Sequence, residues 1–263
     1  MSTSRLKTPA GQTDIEIPPP GDFPSFYLFA MHKSGSTLLN GMMGDALARA
    51  SVPQLAIPEF AFRAGLHDNT ILNPEDFTFA RGYCYRGFRR FPDYLRGFDI
   101  TALKKVLLVR DPRDMLVSLY FSLALSHSVP PAGTFQEAFL ARRARIRGMD
   151  IARFCIEWSD FVAEEFRGFE PAMASEIRVF RYEDVIFDKA RWLAEMFAYL
   201  GIELAAGEVA AIAAAHDIRP AHEDPAAHIR QVAPGNHRKH LDPATIATLD
   251  AAFAATLDRF GYR

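Results

Sequence analysis

The sequence predicts an α/β fold in three layers, with a central parallel sheet between two layers of helices. Short apolar runs alternate with longer stretches whose apolar residues recur at helical spacing. Polar clusters follow three of the predicted strands, at His32–Thr37, Arg110–Arg113 and Arg181–Asp184. Because ligands of such sheets bind beyond the carboxyl ends of the strands, these clusters are the first candidates for a site.

The composition limits the classes of function. Of the 263 residues, 49% are hydrophobic and 24% charged, and the net charge is −2. No bulk field therefore attracts nucleic acid or an anionic membrane, and any anion site must be local. The two cysteines, Cys84 and Cys155, indicate a reduced, cytoplasmic protein. No apolar stretch is long enough to span a membrane, and nothing indicates the oligomeric state.

The first 24 residues differ from the remainder. Residues 1–24 are polar and rich in proline, which is typical of a flexible tail. We expect a single domain over residues 25–263.

The first structural unit after this tail is a strand, a loop and a helix. Phe26–Met31 is a short apolar run that predicts a buried strand, and apolar residues at helical spacing predict a helix over Leu38–Leu47. Gln54–Ile57 predicts a second short strand, ended by Pro58.

The other elements follow from similar patterns. Further strands are predicted at Gly82–Phe88, Val106–Val109 and Ile177–Phe180. A helix should begin at Pro112 with Asp111 as its cap. The remaining predicted helices are Thr134–Arg147, Ile151–Phe166, Lys189–Leu200, Gly207–Ala215 and Pro243–Phe260.

The loop His32–Thr37 has the properties of an anion site. It directs backbone N–H groups and the positive end of a helix to one place, and Lys33 adds a charge. A nucleotide triphosphatase loop reads GxxxxGK[ST], whereas here the lysine precedes the glycine, Gly35. The hydroxyl group that would hold Mg²⁺ is therefore out of register, and a P-loop-type kinase is the second choice.

The run Lys33–Leu38 (KSGSTL) resembles the 5′-phosphosulfate loop of the sulfotransferases, usually KSGTTW. The resemblance implies that the protein is a bacterial-type sulfotransferase and that its fold is similar to that of the P-loop proteins. It implies that the loop binds the 5′-phosphosulfate of 3′-phosphoadenylyl sulfate (PAPS) through Lys33, Ser34, Gly35, Ser36 and Thr37. Leu38, also a predicted cofactor contact, takes the place of the usual tryptophan.

Three further segments resemble motifs of the same family. Val106–Ser118 is similar to the 3′-phosphate motif, RxPxDxxxS after a strand, which implies that Arg110 and Ser118 bind that phosphate. The sequence around Tyr182 matches a YED segment whose tyrosine would contact adenine. A loop usually written RKGxxGDWKNHF implies that Arg230 closes over the 3′-phosphate, with Gln231 in place of lysine.

The general base cannot be the histidine that many members carry in a KxHLP segment. The matching region holds Arg86 in the place of the lysine, and no histidine follows it. We expect Glu59 to be the base, as glutamates from about this region are in carbohydrate-directed and some bacterial members. His32 and Asp114 are weaker candidates.

The resemblance implies transfer of the sulfuryl group of PAPS to a hydroxyl or amine, with 3′,5′-bisphosphoadenosine (PAP) as product and no metal. Lys33 would stabilise the leaving oxygen. A non-catalytic relative that binds PAP or PAPS is another possibility. The acceptor, which should contact Phe60–Arg81 and Ser126–Arg147, is not identified, although a glutamate base favours a carbohydrate or natural product.

The basic run Arg142–Arg147 predicts a solvated helix face.

Overall fold

The computed structural model describes residues 2–9, 11–64, 71–127, 129, 134–227 and 229–263. The chain forms two compact units. The first consists of Met1–Val109 and Arg167–Asp217, and the second of Arg110–Phe166 and Ile218–Arg263.

The first unit contains a sheet of five parallel strands, which confirms the predicted fold class. Two further strands, β1 and β2, form a separate hairpin. The sheet strands are β3 (Phe26–Ala30), β4 (Gln54–Leu55), β5 (Cys84–Phe88), β6 (Lys104–Val109) and β7 (Arg178–Arg181). Their order across the sheet is β4-β5-β3-β6-β7, so β3 lies at the centre.

Both faces of β3 are covered, and all five of its residues are buried. On one face, a core that includes Leu28 packs with apolar residues of the helices α1 (Ser36–Arg49), α9 (Lys189–Leu200) and α10 (Ala206–Ala215). On the other face the rings of Tyr27 and Tyr85 stack with their centroids 4.6 Å apart. This double burial explains why the strand is a continuous apolar run rather than an alternating one.

Residues 2–17 are not the flexible tail expected from the sequence. They form an antiparallel hairpin of β1 (Ser2–Thr8) and β2 (Gly11–Ile17). Leu6 and Ile15 are almost completely buried, and the Asn73 side chain bonds the backbone of β1, with its Oδ1 2.9 Å from Lys7 N. Residues of each strand alternate between outward and inward positions, and only a few of the inward residues are apolar. The composition of the segment is therefore polar, although it forms strands.

The other helices of the first unit are short. They are α2 (Ile57–Arg63), α7 (Glu170–Met173) and α8 (Tyr182–Val185), together with 3₁₀ turns at Pro74–Asp76 and Asp93–Gly97. The strand predicted at Gln54–Ile57 is therefore two residues long, and α2 begins at Ile57 with Pro58 in its first turn.

The second unit is helical. Its α3 (Pro112–Phe121) begins as predicted, with the Asp111 carboxylate accepting the Arg113 N–H at 2.9 Å. A π-helical turn, Ser122–Ser126, follows α3. The other helices are α4 (Thr134–Arg147), α5 (Ile151–Glu157), α6 (Ser159–Gly168), α11 (His237–His240), α12 (Pro243–Ala252) and α13 (Ala254–Phe260).

Two predicted helices are each divided into two. The expected helix Ile151–Phe166 breaks at Trp158, and Pro243–Phe260 breaks at Phe253. Both residues have φ near −100° and ψ near zero, which stops the regular helix without a proline or glycine. Within the described part of the chain, no helix is long and apolar enough to cross a bilayer.

Candidate functional site

The loop between β3 and α1 has an unusual backbone. Lys33 has φ +61° and Gly35 has φ +97°, both in the left-handed region. A lysine in this region costs about 1–2 kcal/mol, and such strain concentrates at functional sites. Gly35 is also the N-cap of the 14-residue helix α1 and has no side chain to cap it. The N–H groups of the first turn of α1 are therefore oriented to bind an anion.

Ser34 holds this loop in shape. It is completely buried, and both its hydroxyl group and its N–H donate to the Met31 carbonyl, at 2.7 Å and 3.2 Å. These two bonds occupy both donors of Ser34. Its predicted contact with the phosphate stays a prediction. Leu38, which stands where the sulfotransferase loop usually has tryptophan, packs partly against the core.

The structure brings the predicted residues Gly35 and Tyr182 together. Tyr182 begins α8 directly after β7, and its ring is buried. A Cβ atom placed on Gly35 would lie only 3.0 Å from the ring carbon Cδ2. Glycine is therefore needed here twice over, for its positive φ and for the close approach of the tyrosine.

Glu59 and Arg86, the two other predicted catalytic residues, form an ion pair. Arg86 Nη1 lies 2.8 Å from Glu59 Oε1, and Arg86 Nε donates to Gln54 Oε1 at 2.7 Å. The Arg86 side chain is 17% exposed and that of Glu59 37% exposed. Arg86 is therefore held by two hydrogen-bond acceptors, whereas the Glu59 side chain is more exposed to solvent.

This pair lies beside the middle of α1. The N–H of Gly87, which follows Arg86, donates to Asn40 Oδ1 at 3.1 Å. A Cβ atom on Gly87, which has φ +93°, would lie 3.7 Å from Glu59 Cγ. Asn40 is four residues beyond the start of α1, or about 6 Å along its axis.

In the second unit, Asp114 organises the segment around Arg110. Its Oδ1 accepts from the N–H and the ring Nδ1 of His237, at 2.8 Å and 2.7 Å, and its Oδ2 accepts from Gly235 N at 2.8 Å. Arg110 Nη2 lies 3.3 Å from the same Oδ2. Burial alone would raise the pKa of Asp114, but the bonds from His237 and the charge of Arg110 lower it well below its usual range.

Arg230 is the second buried arginine of this unit. Its guanidinium carbon lies 4.3 Å from the centroid of the Phe121 ring, and Nη1 bonds the carboxylate of Glu223. Asn236, in the amide orientation that satisfies its hydrogen bonds, accepts from Arg230 and, at 3.3 Å, from Gln231 Nε2. Burial and the nearby charge of Arg110 lower the pKa of Arg230 to about 10, against the opposing effect of Asp114.

Arg110 and Arg230 are both buried, and each is paired with a carboxylate, that of Asp114 and that of Glu223. Because guanidinium donors suit phosphate oxygens, the two arginines are candidates for a phosphate site. Ser118, the other predicted ligand, is half-buried on α3, two turns beyond Arg110.

Comparison with known proteins identifies the family. The family model of the sulfotransferase domain matches residues 96–261, which is more than half of the chain. The protein belongs to the sulfotransferase domain family. The match includes the segments of Arg110, Tyr182 and Arg230, and begins after the Lys33 loop, Glu59 and Arg86. The comparison with curated proteins gave no significant match.

Solved structures of sulfotransferases share the fold. The mouse sulfotransferase SULT7A1 complexed with PAP has a TM-score of 0.58 at 17% identity, over 90% of this chain and 85% of that one. Retinol dehydratase in complex with androsterone and the inactive cofactor PAP has a TM-score of 0.50 at 16% identity, over 90% and 82% of the two chains.

Two arginines of the predicted solvated face on α4 have structural roles in this sulfotransferase. Arg143 is buried, donates from Nε to the Leu123 carbonyl at 3.1 Å, and also bonds the His127 carbonyl. Arg147 Nε donates to the Ala124 carbonyl at 2.7 Å. Both arginines therefore satisfy carbonyl groups in or next to the π-helical turn. Arg143 alone departs from the predicted solvated face, since Arg142, Arg145 and Arg147 are exposed.

The roles of Asp114 and His237 were not predicted from the sequence. Asp114 was expected only as a weak candidate base, yet the carboxylate is completely buried and its oxygens accept several donors. The four-residue spacing from Arg110 to Asp114 was the available indication, since it places both side chains on one side of a helical turn. His237 gave no such indication. Among the described residues, no group of His, Cys, Asp or Glu side chains converges on a metal position.

Proposed function

We propose that this protein transfers the sulfuryl group of PAPS to a hydroxyl or amine of a small-molecule or carbohydrate acceptor. The observation that carries the proposal is the buried pair of guanidinium groups, Arg110 and Arg230, in a chain of the sulfotransferase family. A 3′-phosphate distinguishes PAPS from ATP and AMP, and a fork of guanidinium donors is suited to its oxygens.

The β3–α1 loop would bind the 5′ end of the nucleotide. Backbone N–H groups of Gly35–Thr37 and the N-terminus of α1 supply donors to the phosphate. Lys33 would neutralise the charge that develops on the bridging oxygen as the S–O bond breaks. Tyr182, packed on Gly35, would contact the adenine edge.

Arg110, Ser118, Arg230 and Gln231 would bind the 3′-phosphate. The residues present fit that group, because both arginines are buried and belong to one hydrogen-bonded network. Asp114 bonds Arg110 and Gly235, and the next residue, Asn236, accepts from Arg230. Asp114 would act as a positioning residue, since it ties the backbone of Gly235 and His237 to α3 and so holds the segment that follows Arg230.

Glu59 would accept the proton of the acceptor hydroxyl or amine as the new bond to sulfur forms. Arg86 would orient it, because the guanidinium bonds Oε1 at 2.8 Å and the Glu59 side chain as a whole stays 37% exposed. A glutamate base favours a carbohydrate or a natural product as acceptor. We further propose that the sulfotransferase domain includes the N-terminal hairpin together with residues 25–263, because Asn73 bonds the backbone of β1. We also propose that the protein acts in the cytoplasm, with neither nucleic acid nor a membrane as partner.

Calorimetry with two nucleotides tests this proposal. PAP should bind more tightly than AMP by roughly 2–4 kcal/mol, because only PAP brings a 3′-phosphate that can accept charge-assisted hydrogen bonds from the two arginines. Equal affinity for the two nucleotides would contradict the proposal, and a preference for ATP with Mg²⁺ would favour a kinase.

A further inference from the structure

The carboxylate of Glu223 lies among three basic side chains in the second unit. Its Oε1 bonds Arg230 Nη1 and lies 3.2 Å from His240 Nε2, while its Oε2 bonds Lys239 Nζ. Only 15% of the Glu223 side chain is exposed. Of these three groups, Lys239 is 64% exposed and burial lowers the pKa of His240, whereas Arg230 is a buried charge. Glu223 therefore chiefly balances the buried charge of Arg230.

The backbone holds Glu223 close to Arg230. The N–H of Asp224 donates to the Arg230 carbonyl at 3.1 Å, and that of Ala227 donates to the Asp224 carbonyl at 3.1 Å. The first of these bonds brings Asp224 and Arg230 together. It therefore also holds Glu223, the residue before Asp224, near Arg230.

The other nearby carboxylate is already engaged. Both oxygens of Asp114 accept donors from Arg110, Gly235 and His237. Glu223, by contrast, bonds the arginine that we assign to the 3′-phosphate, and carboxylate and phosphate oxygens accept from guanidinium groups in the same way.

We propose that Glu223 takes the place of the 3′-phosphate in the nucleotide-free protein and leaves Arg230 when the nucleotide binds. The inference rests on the proposed function, because it assumes that Arg230 is a ligand of that phosphate. Glu223 keeps the buried guanidinium paired until the substrate arrives. It also makes binding of the 3′-phosphate a competition between two anions, and so sets the affinity for the donor and the product.

The competition has a measurable size. When the binding-competent state is a fraction of the population, the apparent affinity falls by that fraction. If the Glu223–Arg230 pair is formed about nine-tenths of the time, its removal should strengthen binding of PAP about tenfold. AMP has no 3′-phosphate and does not compete with Glu223, so its affinity should stay the same.

The test is calorimetry of PAP and AMP binding to Glu223→Gln, which keeps the size of the side chain and removes its charge. The expected result is PAP binding about tenfold tighter than to the wild type, with AMP unchanged. Asp224→Asn is the matched control. It removes the same charge one residue away, from an exposed side chain whose Oδ1 accepts the local N–H of Ala226 at 2.9 Å. If the glutamine variant fails to fold, Glu223→Ala replaces it.

Three results would overturn the inference. Unchanged or weaker binding of PAP to Glu223→Gln would mean that Glu223 only positions Arg230. An equal gain in Asp224→Asn would show a general effect of charge rather than competition at one site. Equal affinity of the wild type for PAP and AMP would instead contradict the proposed function itself, so the two failures are distinguishable.

Discussion

At the scale of single residues, Lys33 combines a strained backbone with the charge that the proposed reaction needs. Its φ of +61° disfavours most side chains, so a variant must separate the loss of charge from a change in backbone strain. Lys33→Ala and Lys33→Gly together achieve this, because glycine removes the charge and adopts the same φ freely.

Both variants should lose turnover by roughly 10²–10³ while keeping most of their affinity for PAP. The backbone donors of Gly35–Thr37 remain in place, whereas the charge on the leaving oxygen is no longer neutralised. Turnover at saturating donor and calorimetry with PAP are the two measurements. Near wild-type turnover in Lys33→Gly would exclude the proposed role of the lysine.

Glu59 is tested by a change that preserves its ion-pair geometry. Glu59→Gln still offers an oxygen to Arg86 but cannot accept a proton. Turnover should fall by about 10²–10⁴, with PAP affinity unchanged, if Glu59 is the base. Steady-state kinetics at saturating donor provide the measurement. If turnover stays within a few-fold of the wild type, Glu59 is merely the structural partner of Arg86.

At the scale of elements, the parts of the site that follow long apolar strands were predictable. β3 and the last four residues of β6 are buried and continuously apolar, so the polar residues that follow them stand out. The N-terminal hairpin was not predictable in this way. Its strands bury few side chains, and its attachment to Asn73 is a contact across 66 residues of sequence.

Asp114 joins two such elements, α3 and α11, and its charge should make the stability of the second unit depend on pH. Because its pKa is lowered in the folded state, the unfolded state binds more protons near and below pH 4. The contribution is therefore complete above the unfolded pKa of about 4 and is lost as the pH falls below it.

Asp114→Asn should destabilise the protein by about 3–5 kcal/mol at neutral pH, since it leaves buried partners without their anion. Urea unfolding at several pH values measures this, and the difference from the wild type should shrink below about pH 4. Asp99→Asn is a control, because Asp99 also has a lowered pKa, through its bonds to Thr101, but is exposed. A difference that is constant with pH would contradict the ionic role of Asp114.

At the scale of the whole molecule, the sequence predicted the fold class, and local motifs supplied the candidate site residues, whereas the contacts between side chains were not predictable. Lys33, Gly35 and Tyr182 came from local motifs, and the structure brings the last two together. The pairing of Glu59 with Arg86 and of Glu223 with Arg230 was not visible. Whether such pairs form depends on how the backbone folds around them. The local sequence around a carboxylate does not show whether it is buried.

The central claim is that the protein moves a sulfuryl group from PAPS without a metal. PAPS labelled in its sulfuryl group, incubated with a panel of hydroxyl and amine acceptors in the presence of EDTA, tests it directly. Label should appear on an acceptor with release of an equal amount of PAP, and Lys33→Gly should lower the rate of both by roughly 10²–10³. Transfer of the γ-phosphoryl group of ATP in the presence of Mg²⁺, with PAPS inert, would contradict it.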